Sequence, residues 1–144
     1  MVSGTTISHC HRAGQTDAAI LSAMLNAVET FAAVNALQSG TARRLAIIVE
    51  ELVVNLVCHA GHGRDIVVSL GLAQEENGTL VTLEDNSDPF DLREATAPEM
   101  PDPDHGGGVG LALVKAWAEV SSYARVGERN RLILRLRAPT GPSG

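Results

Sequence analysis

The sequence predicts an α+β domain, a two-layer α/β sandwich whose mixed, mostly antiparallel sheet is covered on one face by about three helices. Three observations carry this. Apolar residues recur at helical spacing in two early segments, Asp17 to about Leu37 and Thr41 to about Ala60. Runs of strand-forming residues then come in adjacent pairs, the first joined at Asn77-Gly78 and the second at 127–130. Hairpins clustered in this way, with few helices, favour helices segregated to one face over a doubly wound sheet.

In chain order, Thr5 to Arg12 reads as a weak opening strand. The first helix is marked by Leu21, Met24, Leu25, Val28, Phe31 and Ala32, with Thr16 or Asp17 as its N-cap and Ser39-Gly40 as its stop. Thr41 caps the second helix, and Gly61 and Gly63 end it. Arg64 to Gln74 and Leu80 to Glu84 form the first strand pair. From Asn86 to Gly108 the chain is irregular and holds Pro89, Pro98, Pro101 and Pro103, and a connection that long in a compact domain is usually functional. A third helix is expected from about Val109 to Glu119, then strands near Val120–Val126 and Arg131–Arg137. Residues 1–138 are expected to form one domain, followed by a disordered tail at 139–144.

A chain of 144 residues is long enough to build one core without staples, since folding at that size buries roughly 68–70% of the surface the unfolded chain exposes. With few aromatics, that core must come from Leu, Val, Ile and Ala. The net charge is −6 and Lys115 is the sole lysine, so no basic surface for tracking nucleic-acid phosphates is present. Cys10 and Cys58 form neither a disulfide framework nor a metal-ligand spacing, and read as reduced, mostly buried thiols. No signal peptide is visible, and the most apolar run, Leu45 to Val57, is interrupted by Glu50, Glu51 and Asn55. A cytoplasmic protein without membrane contact is expected.

Three segments carry chemistry. On the second helix Glu51, Asn55 and His59 recur every fourth residue and so share one face, beside the apolar stripe Leu45, Val49, Leu52 and Leu56. Glu50 lies about 140° around the helix from Asn55. Alone, the polar stripe reads equally well as a solvated face, although an amide amid Leu and Val calls for a specific partner. Asp85 ends the run Leu80-Val-Thr-Leu-Glu84, where a carboxylate can accept a hydrogen bond from the amino group of a base. Alone, it reads sooner as a turn former before Asn86. Gly106-Gly-Gly108-Val-Gly110 opens the third helix, where free backbone N–H groups favour phosphate. Alone, that stretch is also what a flexible loop ending at a helix looks like. It matches neither the P-loop nor the dinucleotide-binding fingerprint. Between Asp91 and His105 the charge is acidic, with Asp91, Glu94, Glu99, Asp102 and Asp104 against Arg93, so nucleotide charge must be met by a divalent cation and backbone donors.

Taken together and in this order, the three segments resemble the N box and the two glycine boxes of the GHKL (Bergerat-fold) ATPases. The run Asp85-Asn-Ser-Asp-Pro-Phe-Asp91 and the ending from Glu119 through Arg129-Asn-Arg-Leu132 resemble one branch, the bacterial anti-sigma-factor serine/threonine kinases of the RsbW type. The resemblance spans about Asp17 to Leu136. It implies the Bergerat ATP-binding fold, with ATP and Mg²⁺ as cofactors. It makes Glu51 the general base, Asn55 the Mg²⁺ ligand, His59 a neighbour of the phosphates and Asp85 the acceptor for the adenine amino group. Gly107, Gly108, Gly110 and Leu111 would line the phosphates. Two departures stand out. Ser87 replaces the glycine usual two residues after the adenine-binding Asp, which predicts crowding of the base and lowered affinity. Ile133 falls at about the place where relatives often carry a hydroxyl residue in the last strand.

The function implied is an ATP-dependent protein serine/threonine kinase that phosphorylates an anti-sigma-factor antagonist and takes a sigma factor as second partner, with a homodimer in keeping with the branch. Two other readings compete: a nucleotide-gated protein-binding module with weak or no kinase activity, and a detached histidine-kinase catalytic domain. Against the last, the sixteen residues before Asp17 leave no room for a dimerisation hairpin carrying a phospho-acceptor histidine.

Overall fold

Alternation of apolar and polar residues gives the sheet one face for a core and one for solvent. In the computed structural model, which describes residues 4–60, 65–89 and 107–137 (58–60 and 107–111 as backbone only), these residues build an α+β sandwich. The strands are β1 (Gly4–His11), β2 (Ile66–Glu75), β3 (Gly78–Asp85), β4 (Ala118–Val126) and β5 (Arg129–Arg137). The helices are α1 (Ala18–Val34), α2 (Ser39–Ala60) and α3 (Gly107–Trp117). The sheet order is β1-β2-β3-β5-β4. All four pairings are antiparallel, so the expected mixed character is absent among the described strands. The tail at 139–144 and most of the irregular stretch, 90–106, lie outside the described residues.

The register lines up the core face row by row. Leu72, Val81 and Leu134 lie side by side across β2, β3 and β5, as do Leu70, Leu83 and Leu132, and all six are buried. Ile20, Met24, Val28 and Phe31 of α1 and Leu45, Ile48, Val49, Leu52 and Val53 of α2 complete the same cluster. The α2 residues fall at i, i+3, i+4, i+7 and i+8, the pattern of a helix lying on a core. On the solvent face, arginines of β5 pair with carboxylates, Arg135 with Glu75 at 3.0 Å and Arg131 with Glu84 at 3.4 Å. Such part-exposed pairs add little stability but keep that face wet. Cys10, expected to be buried, is exposed there, because its position in β1 points away from the helices.

Element boundaries differ from expectation where local backbone chemistry overrides composition. Ser39-Gly40 does not stop α1; it opens α2. The stop lies earlier, at Asn35–Leu37. Asn35 donates its side-chain Nδ2 to the carbonyl of Phe31, Ala36 adopts φ +51°, and the N–H of Leu37 returns to the carbonyl of Ala32. That is a left-handed helix terminus of the kind glycine normally fills. Asp17 stands at the N-cap of α1 but makes no side-chain capping bond. The first hairpin turns one residue earlier than Asn77-Gly78: Glu75 pairs with Gly78, so Glu76 and Asn77 form the tip. Gly78 takes φ +145° as the first residue of β3, a conformation L side chains rarely adopt.

A left-handed alanine costs roughly 1–2 kcal/mol. Ala36→Gly is therefore expected to raise unfolding free energy by about 1 kcal/mol, partly offset by the entropy glycine adds to the unfolded chain. The urea midpoint should rise with an unchanged slope; an unchanged or lower midpoint would show that Ala36 is not strained.

Candidate functional site

Each polar residue of the candidate site is placed by the apolar pattern around it. In α2, burial of Leu52 and Val53 fixes the helix phase, so Glu51 and Asn55 lie half-buried at the margin of the core while Glu50 is exposed. The Glu51 carboxyl is held above its ordinary range, first by desolvation and then by the nearby charge of Glu50. The backbone of His59 lies in the last turn of α2; its side chain is outside the described residues.

Asp85 ends the core-facing row of β3. Its neighbours across the sheet are Val68 on β2 and Asn130 on β5. The carboxylate, 5% exposed, therefore sits where the apolar core gives way to polar groups. A buried carboxylate needs donors, and Asp85 has three. The Ser87 N–H donates to Oδ1 at 2.9 Å, the Ser87 hydroxyl donates to the same oxygen, and Asn130 Nδ2 donates to it at 3.0 Å. Among the described residues no hydrogen bond falls on Oδ2. The Ser87 hydroxyl is thus turned onto the carboxylate.

Asn130 was missed as a site residue because its Gly-Glu-Arg-Asn context reads as turn. The turn is only Gly127–Glu128, since Val126 pairs with Arg129. Asn130 consequently enters β5 on the core face, 4% exposed, opposite Asp85. Its Nδ2 also lies within hydrogen-bond distance of the carbonyls of Ser87 at 3.0 Å and Asp88 at 3.1 Å. Its Oδ1 accepts from Tyr123 Oη at 2.8 Å and from an Arg125 guanidinium nitrogen at 2.9 Å, and that nitrogen also reaches the Ser87 carbonyl at 2.9 Å. Ile133, by contrast, pairs with Thr82, off the Asp85–Asn130 row. The residue of the last strand that meets Asp85 is Asn130. Asn86 is committed elsewhere, accepting the Val67 N–H at 2.8 Å.

The glycine segment supplies the start of α3. The helix begins at Gly107, two residues earlier than expected, so Gly107, Gly108 and Gly110 occupy its first turn and Leu111 follows. The first four N–H groups of a helix lack intrahelical partners and favour an anion. α3 packs against α2, the helix of Glu51 and Asn55. Arg44 of α2 lies over the Trp117 ring, 5.5 Å from its centroid, at the other end of α3. Lys115 is exposed in the last turn of α3. Among the described residues no cluster of three or more His, Cys, Asp or Glu side chains could hold a metal on its own. No described helix is long and apolar enough to cross a membrane.

The described geometry therefore has a buried carboxylate with one oxygen held and the other without a donor, a glycine-rich helix start, and a half-buried Glu beside an Asn on the helix packed against it. Among curated proteins none matches the chain. A family model does: the histidine kinase-like ATPase domain matches residues 15–136, from just before α1 to within a residue of the end of β5. The chain belongs to the histidine kinase-like ATPase domain family of the GHKL superfamily.

Proposed function

We propose that this protein is an ATP-dependent protein serine/threonine kinase of the anti-sigma-factor type, acting on a Ser or Thr of an antagonist protein, with a sigma factor as second partner and a homodimer as the working form. ATPase domains of this superfamily bind ATP, usually with Mg²⁺. The residues present fit such a ligand. Asp85 Oδ2 can accept from the 6-amino group of adenine. Asn55 offers a hard amide oxygen, and Mg²⁺ usually needs only one or two protein ligands besides the phosphates. Gly107, Gly108 and Gly110 leave room for phosphate oxygens at the start of α3.

The observation that carries the kinase reading is Glu51. Its carboxyl is held above the ordinary range by burial and by Glu50, closer to the pH at which a general base works best. A residue needed only for solubility would be exposed, as Glu50 is on another face of the helix. Bound ATP and Mg²⁺ supply an activated phosphoryl group with its charge neutralised. Glu51 would take the proton from the partner hydroxyl as its oxygen bonds to the γ-phosphorus and ADP leaves, Asn55 would hold the cation, and Asp85 would fix the base.

The test is acid-stable ³²P transfer from labelled ATP to candidate antagonist proteins. Acid-stable label on Ser or Thr is expected. Acid-labile label would point to a histidine acceptor instead. Tight ATP-dependent binding of the partner with no transfer would make the protein a nucleotide-gated binding module.

Ser87 tests the base end of the site separately. Because its hydroxyl donates to Asp85 Oδ1, Ser87→Ala and Ser87→Gly should both weaken ATP binding, by about threefold to tenfold for one lost hydrogen bond. Isothermal calorimetry measures it directly. Tighter binding by Ser87→Gly would return the serine to a crowding role.

A further inference from the structure

We propose that Asn130, aimed by Tyr123 and Arg125, is the positioning residue that holds the Asp85 carboxylate at a fixed tilt with one acceptor oxygen toward the ligand, and so sharpens the preference for a base that presents an amino donor, as adenine does. This rests on the ATP-binding reading above.

An Asn side chain can present either its amide nitrogen or its oxygen, and the two are decided by the hydrogen bonds around them. Here the choice is forced. Tyr123 Oη and the Arg125 guanidinium both face Asn130 Oδ1. Arg125 can only donate. Nδ2 must then face Asp85 Oδ1 and the carbonyls of Ser87 and Asp88, all of them acceptors. With Oδ1 of Asp85 held by Asn130 and Ser87, the carboxylate cannot tilt out of this plane without losing several bonds in buried surroundings, where unmade bonds are costly. Oδ2 is left as the ligand acceptor.

A single irregularity in β4 brings Tyr123 and Arg125 to this place. Val120 pairs with Leu134 and Ser122 with Ile133, so the register shifts between them by one residue. Strand side chains alternate between faces, and one extra residue inverts the alternation. Without the shift, Ser122 and Ala124 would take the core-side positions. With it, Tyr123 and Arg125 pair with Leu132 and Asn130 and lie on the core side. Arg125 is itself exposed, so the chain of contacts runs from a surface cation through a buried amide to the buried carboxylate.

The decisive variant is Asn130→Asp, measured as the ratio of Mg-ATP to Mg-GTP affinity at pH 8 and pH 5, with thermal melting to confirm folding. At pH 8 the variant replaces the Asn130 donor with a second carboxylate facing Asp85, leaving only the Ser87 donors, and the ATP preference should fall at least about tenfold. At pH 5 the pair can share one proton, as adjacent carboxylates do. The donor to Asp85 is then restored, and a substantial part of the preference should return. The parent ratio should change little over the same range. Tyr123→Phe combined with Arg125→Met leaves Asn130 in place but strips both donors from its Oδ1, so its hold on Asp85 loosens; the ratio should fall here too, without the recovery at pH 5. If the parent prefers ATP and the folded variants keep that preference at pH 8, Asn130 has no part in specificity and the proposal is overturned, while the ATP reading stands. If Asn130→Asp does not fold, an undiminished preference in the Tyr123→Phe, Arg125→Met protein overturns it equally. A parent protein that binds neither nucleotide removes the ATP reading and this proposal together.

Discussion

Glu51→Gln is expected to slow phosphoryl transfer roughly 10²–10⁴-fold, the usual worth of general-base assistance, while nucleotide affinity changes little. The replacement keeps shape and polarity and removes only the proton acceptor. Glu50→Gln is the control, because Glu50 is exposed on another face of α2; beyond a small effect through its charge on Glu51, it should leave transfer intact. The pH dependence has a definite sign. The working base is the carboxylate, so the transfer rate should fall as pH drops through the raised pKa of Glu51, and Glu51→Gln should lose that acidic limb. Stability should show the same group independently. A carboxyl whose folded pKa is raised binds protons more readily in the native state, so it detracts from stability above that pKa and ceases to do so once pH falls below its unfolded value, about 4.3. Glu51→Gln should therefore melt higher than the parent near neutral pH and lose that advantage in acid. Transfer as fast as the parent, with chemistry shown to be rate-limiting, would remove Glu51 as the base. A variant that melts no higher at neutral pH would deny its desolvation.

How much of this was legible in the sequence depended on whether a residue's place followed from local periodicity or from a partner far along the chain. The phase of α2 was legible because Leu45, Val49 and Leu52 form an apolar stripe that leaves no choice about which way Glu50 and Glu51 point. Asp85 was legible as the last residue of an alternating strand. The end of α1 was not, because Ala36 fills a left-handed position with a residue that does not favour it, and the more usual signal, Gly40, lay four residues later inside α2. Asn130 was hidden for a related reason. A two-residue turn leaves it in the strand, and only the pairing of β5 with β3 shows that it meets Asp85 across the sheet. The bulge in β4 has no local signature at all, yet it decides that Tyr123 and Arg125 are on the core side. Residues whose function depends on cross-strand register are the ones a linear reading loses.

Asp85→Asn should do more than weaken binding. It should reverse the polarity of what the site offers to a base. In the parent, Oδ1 receives donors from the Ser87 N–H, the Ser87 hydroxyl and Asn130 Nδ2. Those donors remain in the variant and require an acceptor, so the new amide must set its oxygen in the Oδ1 position. Its NH₂ group then takes the place of Oδ2. Facing adenine, that is a donor against the donor 6-amino group; facing guanine, it is a donor against the 6-oxo acceptor. The loss for ATP combines a missing charge-assisted hydrogen bond, roughly 1.5–3 kcal/mol, with an unsatisfied polar group, roughly 1–3 kcal/mol. ATP affinity should fall about 10²-fold or more, since every 1.4 kcal/mol is tenfold. GTP should lose much less, or gain, so the preference narrows or inverts. Calorimetry with both nucleotides on parent and variant measures each quantity. Loss of ATP and GTP binding in equal proportion would show that Asp85 holds the fold of the site rather than reading the base, and equal affinities in the parent would show that this carboxylate does not select adenine.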